Sequence, residues 1–480
     1  MLRTLGQSEY GLYNLVASFV AYLGVLNFGF SSAYMRYYSR YKSQDDKEKI
    51  SKLNGIFLII FSIIGAITIV AGTALALNTD LVFGSKLTAI ELSRAKVMTL
   101  VLVFNLAISF PFSIFSSHIT ANEKFIFQNL LQIVYKIASP LIMLPVLLMG
   151  YGSIGMVISS TVINILIQTL NSIYCFKNLK IQISFKHLSI ELVKEMTVFS
   201  FFIFINMIVD QINWNIDKYL LGRFRGTIAV AVYGLAAQLN VYFVQISYAI
   251  SSVFIPRVHN LVVNTNNNIE LSKLFARIGR LQFLILTMIL TGLIFFGRPF
   301  IKLWAGDNYD ESYPIILILT ISIFVDLIQN IGIEIQRAKN IHQFRSWLYL
   351  FIAIGNLGIS IPLVKAYGGI GAALGTGISI IIGNEIIMNL YYHFKVGLDM
   401  KKYWKEILKL IPALIFPVSA GILIKTFFCV NNITSLLGLG TIYVIIYCFS
   451  MWHIGMNSYE KDLIKIPITK LFDIIMKKRI

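Results

Sequence analysis

Apolar residues in this 480-residue chain gather into runs of twenty or more, separated by short polar segments. The runs lie near 11–35, 54–77, 95–118, 127–149, 151–175, 197–220, 228–255, 275–297, 313–335, 343–364, 367–393, 404–428 and 434–456. Each is long enough to cross a hydrocarbon layer of about 30 Å as a helix. Backbone amides in lipid must be satisfied within their own segment, so helices are the expected elements. The strict two-residue alternation of a membrane β-barrel is absent. The pattern therefore predicts an all-α polytopic membrane protein of about thirteen transmembrane helices.

Polar residues inside these runs recur at helical spacing. Asn206, Asp210, Asn213 and Asp217 mark one face of the sixth run, and Asp326, Asn330, Glu334 and Arg337 one face of the ninth. The fourth carries Gln128, Gln132 and Lys136, the fifth Asn164, Gln168 and Asn171, and the eleventh Glu385 and Asn389. A charge at the middle of a span costs roughly 2.5–3.5 kcal/mol or more, so such groups face protein or water and often mark function. The blander alternative is that a neighbouring helix satisfies each group, or that it snorkels to an interface.

Composition agrees with the pattern: 57% of residues are hydrophobic, only 13% are charged, and the mean hydropathy is +0.74. The net charge of +18 sits in the connections. Of the 41 lysines and arginines, 29 fall on the side that includes the C-terminal tail, 11 on the other, and Lys136 inside a span. The positive-inside rule then makes the C-terminus cytoplasmic and the N-terminus external. Basic loops beside an anionic leaflet imply contact with anionic lipids. Nucleic-acid binding would need an exposed basic domain, and none is present. The three cysteines, Cys175, Cys429 and Cys448, form no CxxC, so neither a disulfide framework nor a cysteine metal site is expected.

The chain also repeats itself. YGSIGMVISSTVIN at 151–164 resembles YGGIGAALGTGISI at 367–380, and Tyr13, Leu15 and Arg36 correspond loosely to Tyr233, Leu235 and Arg257. The offset of 216–220 residues spans six helices, so the two copies share one orientation. Parallel repeats of this kind are a transporter plan. They divide the chain into an N-terminal lobe at 1–190 with five helices, a C-terminal lobe at 191–398 with six, and two further helices with a cytoplasmic tail at 399–480. On this reckoning the first helix of the N-terminal lobe is missing, and the polar opening LGQSEYGLY is an outer loop.

RTLGQSEYGLYNLVASFVAYLGVLNFGFSSAYMRYYS (3–39) and DKYLLGRFRGTIAVAVYGLAAQL (217–239) resemble polysaccharide-export flippases. That resemblance implies the multidrug/oligosaccharidyl-lipid/polysaccharide exporter fold of fourteen helices, and hence two pseudo-symmetric lobes plus two C-terminal helices. It implies translocation of an undecaprenyl-diphosphate-linked oligosaccharide across a bacterial cell membrane. It also implies association with polysaccharide polymerase and chain-length proteins, and a coupling proton or sodium ion. A cation-coupled multidrug exporter and a peptidoglycan-precursor flippase share the fold and stay open as alternatives.

Candidate substrate-binding residues are Lys136, Arg36, Arg257, Lys218 and Arg337, because a diphosphate calls for cations. Lys136 is the basic residue set well inside a span. Asp210, Asp217, Asp326, Glu334 and Glu385 are candidates for the coupling ion. A membrane glycosyltransferase or polymerase is the rival from another class. No soluble nucleotide-sugar domain, GxxxxGK[ST] loop or HExxH occurs. The expectation is therefore a protein without enzymatic activity, cofactor or metal.

Overall fold

A chain that keeps its backbone in lipid closes each N–H onto its own helix. The computed structural model accordingly contains helices and turns but no strand among the residues it describes, which are 2–84, 86–186, 189–264, 267–341, 343–463 and 465–466. Much of the expected cytoplasmic tail at 457–480 lies outside the described residues. Twelve helical segments among those described are long and apolar enough to cross a membrane. One of them, Gln343–Val396, has 54 residues, about 80 Å if straight. It is broken at Gly368, whose φ of 59° and ψ of −130° suit glycine alone. Counted on either side of that glycine it makes two crossings, as the apolar runs at 343–364 and 367–393 predict.

Contacts divide the chain into two units, the residues up to 234 with 357–372, and 235–356 with the described residues from 373 on. In unit 1, α1 (Leu2–Leu23), α2 (Phe30–Ser43), α3 (Lys47–Leu77) and the short α4 (Thr79–Phe83) are followed by α5 (Ala89–Ala121), α6 (Phe125–Leu148), α7 (Gly152–Lys177) and α8 (Ile190–Arg225). α3 packs on α5, and α7 on both α5 and α6. The approach of α3 to α5 is close at Gly65, where a Cβ would stand 2.7 Å from the Ala107 carbonyl oxygen. Tyr34, Phe57, Phe61 and Ile114 form part of the buried core. The repeat counts α8 with the second lobe, and α8 packs on α1 and α2.

Two expectations fail in unit 1. The polar opening is helical from Leu2, interrupted only at Gly6 (φ 74°). Its polar groups are tied to helix ends: Ser8 Oγ donates to Glu91 at 2.6 Å, and Glu9 accepts from the Ser153 N–H at 2.8 Å and pairs with Arg94. The first span is not continuous over 11–35 either. After α1 comes a 3₁₀ turn at Gly24–Asn27. Phe28 (φ 50°) and Gly29 (φ 72°) then both adopt left-handed conformations, which no helix continues through.

Unit 2 takes up the later part of α9 (Thr227–Ser252), followed by α10 (Ile255–Asn264), α11 (Asn268–Ala305), α12 (Ser312–Ile328) and α13 (Ile331–Ala338). α14 (Gln343–Ile380) runs on through a π-helix at Ile381–Ile387 and α15 (Met388–Tyr391). α16 (Met400–Leu408), α17 (Ile415–Phe427) and α18 (Ile433–Ser450) complete it, and a 3₁₀ turn containing Pro412 separates α16 from α17. The ninth span is broken at Gln329–Asn330. The carbonyls freed there are met by side chains from distant segments. Ser247 Oγ donates to Leu327 O at 2.9 Å, the Tyr403 hydroxyl to Ile328 O at 3.0 Å, and Asn330 Nδ2 to Ser247 Oγ at 2.6 Å. A break inside a membrane is tolerated when neighbours satisfy it in this way.

Candidate functional site

The polar stripes of α6 and α7 meet in unit 1. Gln128, Gln132 and Tyr135 from α6, with Asn164 and Asn171 from α7, line a cavity of about 580 Å³. Ser31 and Ser32 of α2 and Ser116, Ser117 and Thr120 of α5 complete its polar wall, with Met35, Leu131 and Ile167 as apolar lining. Among the described lining residues there is no charged side chain. Gln128 Nε2 donates to Ser116 O at 2.7 Å, and Asn164 Nδ2 to Asn105 Oδ1 at 2.6 Å and Ser109 Oγ at 2.9 Å. Asn171 is buried at 8% exposure, and its Oδ1 has no hydrogen-bond partner among the described residues. A buried amide oxygen without a donor costs about 1–3 kcal/mol.

The cavity lies toward the end of unit 1 that holds the α5–α6 connection, with Thr120 and Gln128 in its wall. Lys136 stands one helical turn beyond Gln132, exposed and outside the cavity lining. Arg36 stacks on Phe199, its guanidinium carbon 4.6 Å from the ring centre. Arg257 is exposed at the start of α10.

Asp217 is buried at 3% exposure and accepts a 2.5 Å hydrogen bond from the Tyr233 hydroxyl. Lys218 beside it is half-buried and interacts with that carboxylate, whereas Asp210 two turns earlier is exposed. The stripe on α8 therefore does not meet one environment along its length. The ninth-span stripe is interrupted by the Gln329–Asn330 break. Beyond it, Glu334 and Arg337 pair with each other at 2.7 Å on α13.

In unit 2 the structure brings Asp326 and Glu385 together, 59 residues apart in sequence. α12 packs on the π-helix, whose widened turn presents Asn384 and Glu385. Asn384 donates to the Asp326 carboxylate, and Arg345 lies within its electrostatic reach. Glu385 interacts with Asp326 in turn. π-turns of this type gather at functional positions. The amides of Gln329 and Asn389 face each other at 3.1–3.2 Å, and Trp404 Nε1 donates to Asn389 Oδ1 at 2.9 Å. Trp404 is thus bonded within the protein.

Residue reasoning missed His118. Its Nδ1 lies 2.8 Å from the Tyr34 hydroxyl, which is 2.7 Å from Asn54 Oδ1. All three residues are buried, and a lone histidine in a long apolar helix gives no spacing signal. Among the described residues, no group of three His, Cys, Asp or Glu could hold a metal.

These features belong to a known kind of chain. The family described as "Polysaccharide biosynthesis protein" matches residues 1–262. The chain belongs to this family. A Shigella flexneri protein named "Putative O-antigen transporter" is 23% identical over 398 residues, covering 82% of this chain and 91% of that protein. Among solved structures, the lipid II flippase MurJ in an inward closed conformation superposes with a TM-score of 0.74 at 19% identity, over 95% of this chain and 94% of MurJ. An inward-facing multidrug resistance transporter of the MATE family and MOP superfamily gives 0.63 at 14% identity, over 84% and 93%. The fold is the one that the resemblance implied, and this family member is a multi-pass membrane protein.

Proposed function

We propose that the chain translocates an undecaprenyl-diphosphate-linked oligosaccharide from the cytoplasmic to the outer leaflet of a bacterial inner membrane, with its C-terminus in the cytoplasm. The observation that carries this reading is the cavity of hydroxyls and amides, with no charged group in its described lining. Sugars present donors and acceptors in quantity and no net charge, and such a wall answers them. A cationic drug calls for a carboxylate, and the cavity supplies none among its described residues. Family membership and the transporter named for the Shigella relative support the same conclusion.

Lys136, one turn past the cavity wall, is the cation we assign to the diphosphate. A leaflet-specific assay of undecaprenyl-diphosphate oligosaccharide in cells lacking the gene tests both assignments. The lipid is expected to accumulate on the cytoplasmic face, with wild type restoring it and Lys136→Ala restoring roughly a tenth of that rate, as the loss of one charge-assisted contact implies. An unchanged lipid distribution with altered sensitivity to cationic drugs would overturn the substrate in favour of drug export.

Asp326 with Glu385 is the pair we assign to a coupling proton or sodium ion, since paired carboxylates within a membrane readily share a cation. Asp326→Asn is expected to leave the protein folded and abolish the dependence of translocation on an imposed sodium or pH gradient. Retained gradient dependence would remove the pair from the cycle.

A further inference from the structure

The opposite end of unit 1 carries a second cavity of contrasting chemistry. Lys86, Phe224, Arg225 and Lys365 line about 450 Å³. Among its described lining residues there are three cations and no carboxylate. Charge bias places this end outside, where only eleven basic residues lie in all. Others on that side are paired: Arg94 with Glu9, Arg298 with Asp310, and Lys302 near Asp307 at 3.6 Å. Lys86, Arg225 and Lys365 make no ion pair among the described residues.

Two of the three are held in place. Arg225 ends α8, where Gly226 turns the chain at φ 86°. Its Nε donates to Val364 O at 3.2 Å, and its Nη2 to Lys365 O at 2.5 Å and Ala366 O at 2.9 Å. These carbonyls lie in the last turn before the break at Gly368, and a cation is favoured at such a helix end. Nη1 makes none of those bonds and keeps its donors. The Lys365 ammonium lies 4.9 Å from the centre of the Phe224 ring, a cation–π arrangement that fixes a flexible side chain. Lys86 comes from the connection ahead of α5 and is exposed. Like charges crowded into one recess repel unless an anion shares it. A planar guanidinium fork with two ammonium groups suits phosphate oxygens.

We propose that Lys86, Arg225 and Lys365 form a phosphate- or diphosphate-binding site at the outer end of unit 1, distinct from the polar cavity. Its place in a transport cycle, receiving the diphosphate after translocation, rests on the flippase reading; the binding of the anion does not. The cavity is roomy enough for a diphosphate with several waters at about 30 Å³ each.

The test uses the full-length protein in phosphatidylcholine nanodiscs, titrated with inorganic pyrophosphate. Wild type is expected to bind saturably. Lys86→Gln should weaken binding roughly tenfold, and Lys86→Gln with Lys365→Gln roughly a hundredfold, with the thermal midpoint unchanged because both side chains are exposed. Absence of saturable binding by wild type, or equal affinity in the variants, overturns the site.

A second arm repeats the titration in discs containing phosphatidylglycerol. Weaker pyrophosphate binding there that persists at high salt, where surface repulsion of the anion is screened, identifies bulk lipid headgroups as occupants. Unchanged binding identifies a phosphate from another source, such as the cargo. Neither arm involves translocation, so a failed leaflet assay and a failed anion site are separate results.

Discussion

Arg280→Ala is expected to destabilise the purified protein by about 3–5 kcal/mol, the usual loss when one partner of a buried ion pair is removed. Arg280 sits on α11 at 4% exposure, and Glu460 faces it at 1%. The guanidinium donates to both carboxylate oxygens, from Nε at 2.6 Å and from Nη2 at 3.0 Å. It also donates to Gly455 O at 2.9 Å and Glu406 O at 2.8 Å, so one side chain joins α11, α16 and the segment after α18. Glu460 in turn accepts from the Asn457 N–H at 2.9 Å. Alanine would leave that carboxylate buried without its cation and two carbonyls without donors. Thermal unfolding in detergent, followed by tryptophan fluorescence, reads the change. Arg280→Met with Glu460→Leu should cost less than either single replacement, because no unpaired charge remains. A loss no larger than that of the exposed Lys273→Ala would show that the pair does not hold these segments together.

The same arginine shows where sequence reasoning stops. Arg280 is a lone charge near the start of the apolar run at 275–297, which gives no sign of a partner, yet it lies inside the packing of α11. Hydropathy found the spans because transfer from water to lipid depends on local composition. It missed the breaks at Phe28–Gly29 and Gln329–Asn330, since what makes a break tolerable comes from elsewhere in the chain, as Ser247 and Tyr403 do for the second. The stripes on α6 and α7 were legible at helical spacing, but only the packing of α6 on α7 turns two stripes into one cavity. Asp326 and Glu385 were each visible as costly charges. Their meeting depends on a π-turn that no periodicity announces. Lys136 stood out because it was alone, and the wall beside it is built from neutral residues that attract no notice one at a time.

That neutral wall yields the largest expected change in activity. Gln132→Leu with Asn171→Leu should lower translocation of the lipid-linked oligosaccharide roughly a hundredfold, about tenfold for each hydrogen bond lost in transit. Stability should move little, or even rise. Asn171 Oδ1 is buried without a hydrogen-bond partner among the described residues, and leucine, of the same branching though bulkier, removes that desolvation cost. Gln132 is exposed on a helix with a largely apolar surface, so leucine there is equally tolerable. The prediction thus separates the two quantities: the thermal midpoint holds while the leaflet assay fails. Asn171→Ser, which keeps a polar group in a smaller side chain, should recover part of the rate. If the double variant lost stability and transport in parallel, Asn171 would be serving the packing of α7. If it transported at the wild-type rate, the cargo would not touch this wall. An intact fold with a stalled glycolipid would set Gln132 and Asn171 against the cargo rather than in the packing of their helices.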